Sequence, residues 1–172
     1  MTNREFTPHD AVLVAIDVSK LRNDVLIEVP GKLAGLTSQV CCEDELIIIC
    51  GPDYPLAGMK SVTPKALADY EFISREPGSG TREITDAYFR SHKIPPESLK
   101  TQMELGSPEA LKGVVSTGLG FAIVSRAVVA KELQLGELLA IPLRPALKRS
   151  LYLVFQQDRF QSRLTATFIE FT

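Results

Sequence analysis

The stretch that decides the fold reads Phe72-Ile-Ser-Arg-Glu-Pro-Gly-Ser-Gly-Thr-Arg-Glu-Ile-Thr-Asp-Ala-Tyr-Phe89. Phe72 and Ile73 have high strand propensity, and the proline and glycines that follow them interrupt an extended chain. Ile84 and Tyr88 then recur at the spacing of one helix face. The pattern therefore predicts a short strand, a glycine-rich turn and a helix.

The turn in this stretch has the chemistry of an anion-binding site. The first amides of a helix have no intrahelical partner and lie at the positive end of its dipole, so they can bind a phosphate or a carboxylate. Ser79, Thr81 and Arg82 add two hydroxyls and one cation. In the alternative interpretation, Ser79 or Gly80 only caps the helix and Gly78 only supplies an unusual backbone angle. This stretch alone leaves both interpretations open.

Composition limits the classes of function. The chain has 172 residues, 45% of them hydrophobic and 23% charged, which suits one globular domain or two small lobes. Its formal charge of -2 provides no basic surface for nucleic acid.

The cysteines and histidines do not predict a cofactor, a metal site or an enzyme. The three cysteines have neither the spacing of metal ligands nor that of a disulfide framework. His9 and His92 stand in polar, loop-like surroundings, and no nucleophile has a base beside it. The polar N-terminus does not resemble a signal peptide, and no apolar run has the length of a membrane span. We therefore expect a cytoplasmic protein that is not an enzyme.

Strands and helices alternate around the central stretch. An apolar strand is predicted from Leu46 to Cys50, and a short helix begins at Thr63-Pro64, where Thr63 is the N-cap. After the central helix, a strand around Met103 and Leu105 leads to a helix that begins at Ser107. A buried strand ending at Ser125 and a further helical run follow. This alternation predicts a mainly parallel sheet that is covered on both sides.

The order of these motifs resembles the effector-binding domain of LysR-type transcriptional regulators over residues 34–172. The matching motifs are Glu-Asp-Glu-Leu (43–46), Pro-Leu-Ala (55–57), Gly-Ser-Gly-Thr-Arg (78–82), Leu-Gly-Ser-Pro-Glu-Ala-Leu-Lys (105–112) and Val-Val-Ser-Thr-Gly-Leu-Gly-Phe-Ala-Ile-Val-Ser (114–125). The resemblance implies an α/β, periplasmic-binding-protein-like (type II) fold of two lobes. Residues 62–141 would form the second lobe, and residues 34–61 with 142–172 an incomplete first lobe.

The resemblance also implies a set of effector-binding residues in the cleft between the lobes. One wall would come from the strand and turn of the central stretch, the facing helix would be capped by a serine, and three further residues would lie near the point where the lobes cross. These residues are Ser74, Gly78, Ser79, Gly80, Thr81 and Arg82, then Ser107, then Gly120, Phe121 and Ser125. For Ser107, a purely structural helix cap is the alternative.

A second resemblance covers residues 7–32, which are similar to the start of insertion-sequence transposases with an RNase H-like core. In that family the acid of Ile-Asp-Val-Ser-Lys, here Asp17, helps to hold a catalytic metal. Two-metal chemistry needs several carboxylates, and no later segment resembles the remaining ones. We therefore expect no metal site. Residues 1–33 are assigned to a transposase-like segment, and a transposase-derived fragment or a non-functional fusion of a disrupted regulator gene is the alternative function.

Together these observations predict a sensor without chemistry: the effector-binding domain of a LysR-type regulator without its helix-turn-helix part. Its expected partners are a small anionic metabolite and either further copies of itself or intact regulators. Because the resemblance covers no DNA-reading element, we expect no direct DNA binding from this chain.

Overall fold

A computed structural model of the protein describes residues 25–27 and 36–156. The chain divides into two compact units, one made of Met1–Asp44 with Arg149–Thr172 and the other of Glu45–Lys148. Asp17 lies outside the described residues. So do three further features that the sequence predicts, namely a strand over the apolar residues 11–16, a fusion junction near residues 31–34 and a final helix capped by Ser162. The lobe boundaries 34–61, 62–141 and 142–172 remain a prediction.

The described residues form seven strands and four helices, with two single turns of 3-10 helix at Pro96–Ser98 and Ala127–Val129. The strands are β1 Val25–Ile27, β2 Leu36–Cys50, β3 Glu71–Arg75, β4 Lys100–Leu105, β5 Ala122–Ser125, β6 Leu139–Ile141 and β7 Leu147–Gln156. The helices are α1 Pro64–Leu67, α2 Gly80–Ser91, α3 Pro108–Ser116 and α4 Ala130–Leu135.

Two sheets organise these strands. In the larger sheet, hydrogen bonding connects the strands in the order β1-β7-β2-β5, and β6 also pairs with β2. Val25 of β1 lies opposite Val154 of β7, and Leu46 of β2 lies opposite Ser125 of β5, both in antiparallel register. The smaller sheet contains β3 and β4, which run parallel from the pair Glu71 and Lys100 to the pair Arg75 and Leu105.

The C-terminal half of β2 is buried on both faces. Its alternate side chains contact different cores: Leu46, Ile48 and Cys50 belong to one core with Phe72 and Phe89. Ile47 and Ile49 belong to a second core, which contains Ile73, Leu111 and Val115. A strand covered on both faces needs apolar residues at every position, and this explains the uninterrupted run from 46 to 50.

The strand, turn and helix predicted from the central stretch are confirmed as β3, a turn at residues 76–79 and α2. The predictions of β4, α3 and β5 are also confirmed, and so is the strand that the alternating apolar and polar residues 149–155 predict. The expectation of a mainly parallel sheet is wrong for the described residues. β3 and β4 pair in parallel, whereas the pairs β1–β7, β2–β5 and β2–β6 are all antiparallel. Periodicity predicts that a segment is extended and buried but carries no information about the direction of its neighbour.

Candidate functional site

Two helices begin at one edge of the β3–β4 sheet. Because β3 and β4 are parallel, their carboxyl ends, Arg75 and Leu105, lie side by side. Each strand leads through a short turn into a helix, and these helices, α2 and α3, begin at Gly80 and Pro108. In open α/β sheets, ligands bind outside the carboxyl ends of the strands. This edge, which we call the carboxyl edge, is therefore the candidate site.

The turn from β3 to α2 takes its shape from local backbone bonds. Gly78 has a φ of 86°, a left-handed conformation that a side chain would resist. The Ser79 N–H donates to the carbonyl of Glu76 at 3.2 Å, and the Glu83 N–H donates to the carbonyl of Ser79 at 3.0 Å. Ser79 is the N-cap residue, but its hydroxyl makes no capping hydrogen bond. Because the hydroxyl is not used for capping, it can serve another acceptor or donor.

Ser74 and Thr81 lie on either side of this turn. Ser74 is buried in β3, in register with Glu104 of β4. Thr81 is in the first turn of α2 and is partly exposed. The structure thus brings together at the carboxyl edge six of the residues predicted for effector binding, namely Ser74, Gly78, Ser79, Gly80, Thr81 and Arg82.

Arg82 contacts two neighbouring strands and its own helix. Its Nη1 donates to the carbonyl of Arg75 at 2.9 Å and to Oε1 of Glu104 at 2.6 Å. Its Nε lies 3.8 Å from Oδ2 of Asp86, one turn further along α2. Burial raises the pKa of the Asp86 carboxyl, and the charges of Arg82 and Arg90 oppose that effect. The guanidinium is therefore engaged with groups of the protein itself.

A second ion pair lies in the turn. Nε and Nη2 of Arg75 donate to the two carboxylate oxygens of Glu76 at 2.8 and 2.9 Å. This forked hydrogen bonding is the main reason that the pKa of Glu76 lies below its usual value. Both arginines at the carboxyl edge are thus paired with carboxylates.

Ser107 caps the N-terminus of α3 with its side chain. Its Oγ accepts a hydrogen bond from the Ala110 N–H at 3.3 Å, and it donates to Oε2 of Glu109 at 3.2 Å. These contacts agree with the cap interpretation. Ser107 nevertheless stands at the carboxyl edge, directly after β4, where a ligand could compete for its hydroxyl.

The three remaining predicted residues lie in β5 or directly before it. The Gly120–Phe121 segment adjoins the beginning of β3, since the Phe121 N–H donates to the carbonyl of Glu71 at 2.9 Å. Glu71 and Arg75 are four strand residues apart, or about 13 Å. Phe121 is fully buried and stacks on Phe72 with ring centroids 5.1 Å apart. Ser125 is buried in β5, where its Oγ accepts from the Ala127 N–H at 3.2 Å. The structure thus places Gly120 and Phe121 beside the beginning of β3, away from its carboxyl end, and Ser125 at the carboxyl end of β5.

Sequence reasoning missed the acidic residues of the site. Glu104, Glu76 and Asp86 contact the two arginines, yet none of them belongs to the glycine-rich motif. Asp86 could have been noticed, because it follows Arg82 by four positions and i,i+4 pairs face each other on a helix. Glu76 could also have been noticed, because it directly follows Arg75. Glu104 could not, because it meets Arg82 only through the β3–β4 register.

The described residues also include an open depression of about 270 Å³, at the other end of α2. Its lining contains Arg90, Lys93, Ile94 and Glu97 and none of the residues predicted to bind an effector.

In residues 25–27 and 36–156 there is no group of three or more His, Cys, Asp or Glu side chains that could hold a metal ion. Within the same residues, no helix combines the length and the apolar character needed to cross a membrane.

The family model for the LysR substrate binding domain matches residues 21–172. The "RuBisCO operon transcriptional regulator" of Acidithiobacillus ferrooxidans is 34% identical over 143 residues, which are 83% of this chain and 45% of that protein. The "Probable RuBisCO transcriptional regulator" of Cyanidioschyzon merolae is 34% identical over 167 residues, or 94% of this chain and 55% of that protein. The chain thus spans about half the length of these relatives.

A solved structure, the Synechocystis PCC6803 CcmR regulatory domain in complex with 2-PG, matches with a TM-score of 0.76 and 30% identity. The match covers 86% of this chain and 70% of that chain. The family match begins at residue 21 and so includes the second half of the segment 7–32. These comparisons give no support to the transposase resemblance, and they do not show that the first lobe is incomplete.

Proposed function

Because the chain belongs to the LysR substrate binding domain family, we propose that its carboxyl edge forms one wall of the effector site of a transcriptional regulator. The domain has the periplasmic-binding-protein-like type II fold of LysR regulatory domains, as expected. Its role is effector binding, and the family is one of regulators rather than enzymes.

The observation that carries the proposal is that two helices begin at the same edge of one sheet. The first amides of α2 and α3, which lie at the positive ends of the helix dipoles, follow closely after the strand ends Arg75 and Leu105. Around them stand the hydroxyls of Ser79, Thr81 and Ser107. Amides and hydroxyls arranged in this way suit the oxygens of an anion.

We propose a small anionic metabolite as the effector. The match to the CcmR regulatory domain, whose structure contains 2-PG, makes 2-PG a suitable first probe. The sequence identity of 30% supports a shared binding mode but does not fix the effector, so inorganic sulfate and simple carboxylates belong in the same screen.

The activity of a complete regulator remains part of the proposal. The relatives are named as transcriptional regulators, and this chain spans about half of their length. We propose that the domain works in the cytoplasm, as a homo-oligomer or paired with intact regulators, and that binding of the effector controls transcription. No observation favours a transposase-derived or non-functional product.

The experiment is a titration of the purified protein with 2-PG, sulfate and small carboxylates, followed by isothermal calorimetry and thermal shift. Ser79→Ala and Thr81→Val should weaken binding about tenfold, since each removes one hydrogen bond to a charged ligand. Ser116→Ala is the matched control, because the Ser116 hydroxyl is exposed and donates to the Gly113 carbonyl within α3. Equal affinity in all three variants would place the effector away from the carboxyl edge.

A further inference from the structure

Arg82 is of a residue type that often binds anions, but its contacts are those of a structural residue. Its Nη1 makes hydrogen bonds of 2.9 Å and 2.6 Å to the Arg75 carbonyl and to Glu104. Arg75 is the last residue of β3, and Glu104 is the next-to-last residue of β4. One nitrogen therefore ties the first turn of α2 to the carboxyl ends of both strands.

The charges around Arg82 are balanced without any ligand. Glu104 lies 2.6 Å from the guanidinium and Asp86 lies 3.8 Å from it, and Asp86 also lies 3.9 Å from Nη2 of Arg90. The neighbouring Arg75 is engaged by Glu76. An incoming anion would thus meet no net positive charge from these side chains, and its attraction would come from the helix amides and hydroxyls.

We infer that Arg82 is a positioning residue for the effector site rather than a ligand of the effector. It aligns the start of α2 with the ends of β3 and β4, and the effector's anion is bound by uncharged donors. This inference rests on the proposed function, because it concerns the same edge of the sheet. It assigns recognition to hydroxyl and amide geometry and not to an arginine.

The decisive variant is Glu104→Gln, because the two possible roles of Arg82 predict opposite signs. If Arg82 bound the effector, the loss of Glu104 would release its charge and tighten anion binding. If Arg82 positions α2, Glu104→Gln weakens binding by about threefold to tenfold, as Arg82→Gln does. The double variant should then bind no more weakly than Arg82→Gln alone, since the contact between Arg82 and Glu104 is already lost in that variant.

The matched control is Glu83→Gln. Glu83 is exposed in the first turn of α2, close to the same helix N-terminus, and it is not among the partners of Arg82. Its substitution measures how far the removal of one nearby negative charge improves anion binding by itself. At about 0.15 M salt this effect is largely screened beyond 8 Å.

The titration uses 2-PG as the probe, and hydrogen exchange of residues 79–86 without any ligand is the second measurement. Exchange in this segment should rise in Arg82→Gln and Glu104→Gln and stay at the wild-type level in Glu83→Gln. Failure of the wild-type domain to bind the probe would count against the proposed effector, and the exchange data would still judge the role of Arg82. Tighter binding in Glu104→Gln than in Glu83→Gln, or unchanged exchange, would overturn the inference.

Discussion

At the scale of single residues, substitutions at two buried positions should change stability in opposite directions. Thr85 is 3% exposed in α2, and its Oγ1 has no hydrogen-bond partner. Gly120 has no side chain at a point where two backbone segments touch. Thr85 thus buries a hydroxyl oxygen without a hydrogen bond, and Gly120 has no room for a larger side chain. Each position therefore gives a prediction about stability.

Replacement of Thr85 by valine should stabilise the protein by about 1 kcal/mol. Valine keeps the shape of the side chain and removes a buried hydroxyl whose desolvation is not repaid by a hydrogen bond. Thr117→Val is the control, because the Thr117 hydroxyl is exposed and donates to the Val114 carbonyl at 2.6 Å. Urea denaturation of both variants measures the change, and a less stable Thr85→Val would mean that the hydroxyl has a partner in solution.

Gly120→Ala should destabilise the protein by about 1 to 3 kcal/mol, the usual cost of overpacking. A Cβ at this position would lie 2.6 Å from the carbonyl oxygen of Glu71 and 3.1 Å from the side chain of Ile73. Gly113→Ala is the matched control in α3, where a Cβ would meet nothing within 4 Å. It should raise stability by about 0.5 to 1 kcal/mol through helix propensity. Equal effects at both sites in thermal denaturation would contradict the close approach.

At the scale of elements, α2 and α3 begin with the same residue type but in different ways. Each follows a serine at the N-cap, and each comes after a strand of the small sheet. The Ser107 hydroxyl accepts from an amide of its own helix, whereas the Ser79 hydroxyl does not. The start of α3 is therefore satisfied by its cap, while α2 depends on the contacts of Arg82 and on its turn.

Ser107→Ala should cost about 0.5 to 2 kcal/mol of stability, the usual loss for a helix cap. Ser79→Ala should lower stability by only about 0.3 kcal/mol, since no capping hydrogen bond is lost. Differential scanning calorimetry of the two variants compares them directly. A larger loss in Ser79→Ala would show that its hydroxyl caps α2, and it would weaken the case for a role in effector binding.

At the scale of the whole molecule, two long strands bring distant parts of the chain together. Asp44 in β2 and Arg149 in β7 are 105 positions apart and form a buried ion pair, in which Nε and Nη2 both lie 2.8 Å from Oδ2. Their side chains are only 8% and 4% exposed. A buried pair of this kind contributes little by itself, but the loss of one partner leaves an uncompensated charge in the interior.

Asp44→Ala should therefore destabilise the protein by about 3 to 5 kcal/mol, because the buried guanidinium of Arg149 then loses this carboxylate. The double variant Asp44→Leu with Arg149→Met should recover most of this loss, since no charge is then buried. Guanidinium denaturation of the single and double variants measures both values. Equal stability of Asp44→Ala and the wild type would contradict this expectation.

The sequence by itself determined the local structure of the protein. Residues 72–89 specify a strand, a turn with a left-handed glycine and a helix, and residues 46–50 specify a strand buried on both faces. It also specified the cap at Ser107 and the resemblance to the LysR family. These features depend on propensities and hydrogen bonds among residues a few positions apart, so a single stretch contains all the information they need.

Only the tertiary structure decided the partners of Arg82, the place of Phe121 and the antiparallel pairing of β2. Glu104 reaches Arg82 through the β3–β4 register, and Phe121 enters the core because it stacks on Phe72. Each of these contacts joins residues at least 20 positions apart. Such contacts are fixed by how strands align and how side chains fill the core, and neither periodicity nor a motif encodes that alignment.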